Sequence, residues 1–242
     1  MQLTEKAHRV SVCMATRNGE RFIAQQIASI LCQLGCDDEL VISDDGSSDA
    51  TSMIIAACGD PRVRLLYNPG PGSPVRNFEH ALRHAQGEFI FLADQDDLWE
   101  SDKIKVQTGL LATYDAVVSD CCLIDATGEL LADSFFALRG SGKGFWKNLY
   151  KNSYLGCCMA FRRRILEQAL PFPANIAMHD IWIGLIAERF GTTCFCPDRL
   201  VRYRRHGTTA TQTGSKSPLS VVRQFSYRWY MLHQVLCRKM VV

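Results

Sequence analysis

The stretch EFIFLADQDDLW (88–99) decides the reading of this chain. Phe89–Ala93 form an apolar run of strand type that leads directly into Asp94, Asp96 and Asp97. Like charges this close repel, and no basic residue follows until Lys103. A solvated strand end explains isolated aspartate pairs, but three aspartates in four residues after a buried strand need compensation. A divalent cation bound by hard oxygens is the simplest source of it. Alternate residues of an extended segment point the same way, so Asp94 and Asp96 are expected to face one side. An EF-hand is excluded, because Trp99 occupies the loop position that requires glycine.

Working outward, strand and helix alternate. RVSVCMAT (9–16) is predicted as a buried strand, followed by an amphipathic helix across 20–33 with Phe22, Ile23, Ile27, Ile30 and Leu31 on one face. ELVISDD (39–45) and RVRLLYN (62–68) are two further strands. SSDATSMIIAAC (47–58) and VRNFEHALRHAQ (75–86) are helices, the first opening on capping residues. With the strand ending at Asp94, this βαβαβαβ order predicts a mostly parallel sheet flanked by helices. Ligands of such sheets bind beyond the carboxyl ends of the strands. Three polar clusters, ATRNGE (15–20), SDDGSSD (43–49) and DQDD (94–97), should therefore meet on one edge.

The second half is less regular and predicts a mixed architecture. DAVVSDCCLIDATGELLADS (115–134) reads as two strands, SYLGCCMAFRR (153–163) as another, and HDIWIGLIAERFG (179–191) as a helix ending at Gly191. TTCFCPDRLVRYRRHG (192–207) reads as one or two short strands. The expected organisation is one domain over 1–210, with a ligand-binding half at about 9–98 and a second half at 99–210. A basic amphipathic tail follows over 211–242.

The net charge of +2 hides an asymmetry. Arg199–Val242 holds nine Lys/Arg and no acid, leaving 18 basic against 25 acidic residues before it. A basic end of this kind suggests a polyanionic partner, either ligand phosphates or an anionic membrane surface. No nucleic-acid motif is present, so nucleic acid is not expected. The eleven cysteines are odd in number and include the adjacent pairs Cys121–Cys122 and Cys157–Cys158, which argues against a disulfide framework. No C-x2-C pair, signal peptide or membrane-length apolar run occurs, so a reduced, cytoplasmic protein is expected, at most peripheral to the inner face of the membrane. Neither glycine-rich phosphate loop occurs, so a metal would have to hold phosphates largely by itself.

VSVCMATRNGERFIAQQIASIL, ELVISDDGSSDAT, GEFIFLADQDDLWESDKI and HDIWIGLIAERFG…LVRYRRHG stand in the order and spacing of family 2 glycosyltransferases with the GT-A fold. The DQDD-x-W form resembles the branch containing bacterial rhamnosyltransferases and other O-antigen or capsule sugar transferases. The resemblance covers about residues 9–210. It implies that Ala15, Thr16, Asp44 and Asp45 lie at the nucleoside, and that Arg76, Asn77 and Asp94 face the donor. It implies further that Asp96 and His206 hold Mn2+ or Mg2+, with Arg204 or Arg205 as cations beside the diphosphate. Asp180 falls where the family carries its catalytic base. The residues agree, since a helix N-terminus favours an ionised carboxylate, although an ordinary helix cap has the same appearance. His179 reads as a neighbour of the base, and Asp97 as a supporting or helix-capping group.

The implied reaction is inverting transfer of one sugar from a nucleotide-diphosphate donor, dTDP-rhamnose or a UDP-hexose, to a saccharide or lipid-diphosphate-linked acceptor. The Q-x-x-R-W sequence of processive relatives is not matched, because Gln224 and Arg228 in QFSYRW are one residue too far apart. A sugar-phosphate nucleotidyltransferase would need a glycine-rich basic loop after the first strand, and ATRNGERF has one glycine. A catalytically degenerate scaffold is disfavoured by the joint presence of Asp45, Asp96 and Asp180. Two readings of the tail remain open: contact with anionic lipid, or packing of Phe225, Trp229 and Leu232 on the domain.

Overall fold

The computed structural model describes residues 9–70, 72–206 and 221–240. β1 (Val10–Thr16), α1 (Ile23–Leu31), β2 (Glu39–Asp44), α2 (Thr51–Ala57), β3 (Val63–Tyr67), α3 (Pro74–His84) and β4 (Phe89–Asp94) follow in the predicted order. β1 runs parallel to both β2 and β4, and β2 parallel to β3. β1, β2 and β4 are covered on both faces, which is why they read as continuous apolar runs rather than alternating ones. α3 starts where Ser73 Oγ accepts the Arg76 amide at 3.2 Å and Pro74 supplies a first helical residue that needs no amide partner.

β5 (Leu98–Trp99), α4 (Lys103–Leu111), β6 (Ala116–Ile124), β7 (Leu130–Ala132), α5 (Phe135–Arg139) and α6 (Phe145–Tyr150) come next. They are followed by β8 (Met159–Arg162), α7 (Arg163–Ala169), α8 (His179–Phe190), β9 (Thr193–Arg204) and α9 (Val221–Cys237). The sheet order is β3-β2-β1-β4-β8-β6-β9-β5, with β7 paired to β6. β8 is antiparallel to β4 and β6, and β9 is parallel to β6 but antiparallel to β5. The second half is therefore mixed, as expected. The 192–207 segment forms one twelve-residue strand, kept continuous by register shifts around Asp120 of β6.

α4 is absent from the sequence reading because its inward face is partly polar. Lys103 is fully buried, donating from Nζ to Gln107 Oε1 at 2.8 Å and lying 4.9 Å above the Trp99 ring. Gln107 Nε2 in turn donates to the Cys158 carbonyl at 2.9 Å. All eleven cysteines are free thiols, and Cys13, Cys121, Cys157 and Cys158 are core residues.

The tail is helical over α9, while residues 211–220 lie outside the described residues. α9 packs against α6 and α8 and buries Met231 and Val235. Its C-terminal end is pinned by Arg238, which donates to the carbonyls of Gln168 at 2.7 Å, Pro171 at 3.0 Å and Leu170. The packing expectation needs correction on residues. Leu232 is partly buried against the core, but Phe225 is 70% and Trp229 66% exposed. Their positions on the helix turn them away from the Met231–Val235 face. No helix among the described residues is long and apolar enough to cross a membrane.

Candidate active site

The three polar clusters meet at the carboxyl edge of the parallel strands. Register sets Ala15 beside Ser43 and Asp94, and Thr16 beside Asp44. Gln95 ties two clusters together. Its Oε1 accepts the Thr16 hydroxyl at 2.5 Å and the Arg17 amide at 2.9 Å, and its Nε2 donates to the Arg17 carbonyl at 3.1 Å. The Asp45 amide donates to the Thr16 carbonyl at 3.0 Å, and Asn77 Nδ2 donates to the same carbonyl at 3.1 Å. Asn77 Oδ1 is buried without a hydrogen-bond partner.

Asp44 and Asp45 do different work despite being neighbours. Asp44 accepts the Ser47 amide at 2.8 Å and the Ser47 hydroxyl at 2.6 Å, shaping the turn in which Gly46 adopts φ +75°. A side chain at Gly46 would strain that left-handed conformation. Asp45 stands further out, accepting Asn68 Nδ2 at 3.0 Å with the Arg17 guanidinium 3.8 Å away. Arg76 is paired with Glu79 on its own helix, and Glu79 also accepts from Arg83 and from the Phe172 amide.

The DQDD segment departs from the extended geometry expected of it. β4 ends at Asp94, and Gln95–Asp96 form a turn, so strand alternation does not place Asp94 and Asp96 together. The turn itself crowds them. Asp96 Oδ2 lies 2.7 Å from His206 Nε2, whose ring stands 5.1 Å from that of Phe22 between centroids. The carboxylate oxygens of Asp94 and Asp97 and the Cys157 sulfur lie within 4.8 Å of one another. Burial pushes the Asp94 carboxyl up to about 8, aided by the charges of Asp96 and Asp180. Asp97 is raised by burial and by Asp96 and Asp94.

Of the two expectations for Asp97, a supporting or a helix-capping group, the helix cap is not what the structure shows. Asp97 Oδ1 accepts the Arg204 backbone amide at 2.8 Å, and Arg204 Nε donates to the Asp96 carbonyl at 2.8 Å. The Arg204 guanidinium also reaches the carbonyls of Asp125 and Ala126, and lies 4.5 Å above the Phe22 ring. This buried arginine fixes the aspartate turn to the end of β9. The Arg205 amide donates to the Ile124 carbonyl at 2.8 Å, anchoring the backbone just before His206.

A divalent cation fits this group. Carboxylates and an imidazole are the hard and borderline donors that Mg2+ or Mn2+ accept, and the raised Asp94 carboxyl marks a position where positive charge would be stabilised.

Asp180 enters from the other half of the chain, in the first turn of α8. Its Oδ1 accepts the Ile181 amide at 2.6 Å, and the Asn152 side chain also donates to it. Burial nevertheless pushes its carboxyl up to about 6. His179 points elsewhere. Its ring stacks on Phe78 at 3.9 Å between centroids, and burial lowers it to about 3, so it is neutral. A Cβ on Gly156 would stand 2.9 Å from His179 Nε2, so this position has no room for a side chain.

Gln26, Gln95 and Asn152 were missed by sequence reasoning. Gln26 Nε2, for example, donates to the Asp94 carbonyl at 2.8 Å. They support the site through backbone groups or across long separations, and neither leaves a local spacing signal.

A parallel half ending in a carboxylate-lined edge, joined to a mixed half that brings a further carboxylate, defines a GT-A glycosyltransferase. The chain superposes on Staphylococcus aureus TarS, solved in complex with UDP-GlcNAc, with TM-score 0.73 at 18% identity over 96% of this chain and 68% of that one. It also superposes on the mannosyltransferase PcManGT of Pyrobaculum calidifontis, solved with GDP-Man and Mn2+, with TM-score 0.65 at 24% identity over 85% and 59% of the two chains. The chain belongs to glycosyl transferase family 2, whose profile matches residues 11–170. Among curated relatives, it is 26% identical to the Escherichia coli UDP-Glc:alpha-D-GlcNAc-diphosphoundecaprenol beta-1,3-glucosyltransferase WfgD, over 81% of this chain and 76% of that protein. It is 33% identical to the putative glycosyltransferase EpsE of Bacillus subtilis over 55% of this chain, but this spans only 47% of EpsE.

Proposed function

We propose that the protein transfers one sugar from a nucleoside-diphosphate donor to a saccharide or lipid-diphosphate-linked acceptor in bacterial surface polysaccharide synthesis, with inversion at the anomeric carbon. The observation that carries this reading is Asp180. It is a buried carboxyl raised to about 6, on a helix N-terminus close enough to the donor-edge carboxylates for its charge to raise Asp94. A carboxyl of that pKa is ionised at neutral pH yet more basic than an ordinary aspartate, which suits a general base.

In the proposed reaction, the Asp180 carboxylate removes the proton of the acceptor hydroxyl as its oxygen bonds to the anomeric carbon. The bond from that carbon to the donor phosphate breaks, and the nucleoside diphosphate departs. Ala15, Thr16, Asp44, Asp45, Arg76 and Asn77 position the donor, with Asp94 facing its sugar or ribose. Asp96 and His206 would hold Mn2+ or Mg2+, which when bound neutralises the charge on the departing diphosphate. Arg204 has its guanidinium committed to backbone carbonyls, so Arg205 is the cation assigned to the phosphates.

A UDP-hexose donor and a lipid-diphosphate acceptor are supported by the name of WfgD, and a uridine nucleotide also by the TarS complex. dTDP-rhamnose is supported only by the DQDD-x-W branch resemblance. The test is a hydrolysis screen over nucleotide sugars with Mn2+ or Mg2+. Release of nucleoside diphosphate from one donor is expected. If no donor is turned over and no nucleoside diphosphate raises the thermal midpoint in the presence of metal, the reading fails.

A further inference from the structure

The exposed aromatic residues of the second half are concentrated on two helices that pack on one another. On α6, Trp146 is 68% and Tyr150 73% exposed, and their i, i+4 spacing puts them on one face. On α9, Phe225, Trp229 and Leu236 are exposed and share a stripe flanking the buried Met231–Val235 face. The two groups are joined by Arg228, whose guanidinium lies 5.0 Å above the Tyr150 ring. Of the four tryptophans, Trp99 and Trp182 are buried, and the two exposed ones are Trp146 and Trp229.

Charge separates this surface from the rest of the chain. Residues 134–166 contain no aspartate or glutamate, and Arg139, Lys143, Lys147 and Lys151 recur in them at every fourth position. Residues 221–240 also lack acids and carry Arg223, Arg228, Arg238 and Lys239. The neighbouring acid from α8, Glu188, is turned inward, accepting the Gly144 amide at 2.8 Å and the Tyr154 hydroxyl at 3.1 Å. Exposed indole and phenol rings among cations with no acids match the interface of an anionic leaflet, where rings sit at headgroup depth and each cation gains from the surface potential.

We infer that α6 and α9 together form a docking face for an anionic phospholipid surface. This inference rests on the transferase reading and extends it, because the face adjoins the acceptor side of the site. α6 ends at Tyr150, and two residues later the Asn152 side chain donates to Asp180. A lipid-linked acceptor approaching in the plane of the leaflet thus meets the base directly beyond the docked helix.

The test is co-sedimentation of the full chain with vesicles of phosphatidylcholine, with or without phosphatidylglycerol, while tryptophan emission is recorded. Binding only to the phosphatidylglycerol vesicles is expected, with a blue shift arising from Trp146 and Trp229. K143Q/K147Q is expected to weaken partitioning by at least about fivefold. W146S/W229S should abolish the blue shift while leaving donor hydrolysis in solution unchanged. Equal binding to both vesicle types, or unshifted wild-type emission, overturns the inference. A wild-type dimer that W146S/W229S converts to monomer also overturns it, assigning the face to a second copy of the chain. Donor hydrolysis without vesicle binding refutes the docking face alone, whereas absence of hydrolysis with every donor, together with no thermal stabilisation by any nucleoside diphosphate and metal, refutes the transferase reading.

Discussion

Replacing Asp180 by asparagine removes the proposed base and nearly preserves its shape, which makes D180N the most informative substitution. General-base catalysis contributes about 10²–10⁴-fold, so kcat is expected to fall by that factor, about 3–5 kcal/mol of transition-state stabilisation. Donor affinity should stay within about threefold, because the loss is confined to a step after binding. The stability effect has the opposite sign. The rise of the carboxyl from its ordinary 3.8 to about 6 corresponds to a penalty of about 3 kcal/mol on the ionised form. Folding raises this pKa, so the contribution of the group is fully present below the unfolded value and is lost as pH rises through about 6. Asparagine carries no such dependence. At pH 8 D180N should therefore match or exceed the wild type in stability, by up to about 3 kcal/mol or about 6–12 °C in Tm. The difference should close by pH 4. Wild-type kcat/KM should rise about tenfold per pH unit below pH 6 and level off above it. The assays are stopped-time product analysis with donor and acceptor, titration calorimetry with the nucleoside diphosphate, and thermal melts across pH. A D180N enzyme retaining a tenth of wild-type kcat, a flat pH profile between 5 and 8, or collapsed donor binding would refute the assignment.

Asp96→Asn should weaken metal-supported nucleotide binding by at least about tenfold and leave the metal-free melting temperature close to wild type, because Asp96 acts at the site edge. Chelation with EDTA should reduce wild-type nucleotide affinity to the level of that variant. Arg204→Lys loses the fork that reaches the Asp96, Asp125 and Ala126 carbonyls; a cost of about 2–4 kcal/mol is expected in denaturant melts. His179→Phe should leave the pH midpoint of kcat/KM unchanged, since the imidazole is already neutral; a shift of the midpoint would make His179 part of the proton chemistry. Lys103→Met should cost about 1–3 kcal/mol in the same melts, because it leaves the buried Gln107 Oε1 without its Nζ donor.

The parallel half was legible because β1, β2 and β4 are nearly continuous apolar runs and a polar cluster sits at the end of each. Val10–Thr16 and Phe89–Asp94 could hardly be read otherwise, and the parallel rule then located the ligand edge. The second half was less legible, for reasons visible in particular residues. Lys103 and Gln107 occupy inward positions of α4 and erase its amphipathic period. β5 is two residues long and exists only because β9, about a hundred positions later, pairs with it. Within the site, Asp94, Asp96, Asp180 and His206 stood out by type and position. Arg204 looked like a phosphate ligand because sequence shows a cation but not where its guanidinium turns. For Phe225 and Trp229 packing and lipid contact stayed equally open, because helical spacing identifies a stripe without saying which stripe meets the core.

The bonds from the Arg204 amide to Asp97 and from its guanidinium to the Asp96 carbonyl have a consequence for how such chains can diversify. β9 both completes the sheet edge against β5 and holds the aspartate turn, so the second half of the polypeptide also fixes the Asp96–Asp97 turn contributed by the first. The two halves are not interchangeable cassettes. A chimera that takes its first hundred residues from this chain and the remainder from a relative inherits a working donor pocket only if the incoming strand ends with an arginine in the same register.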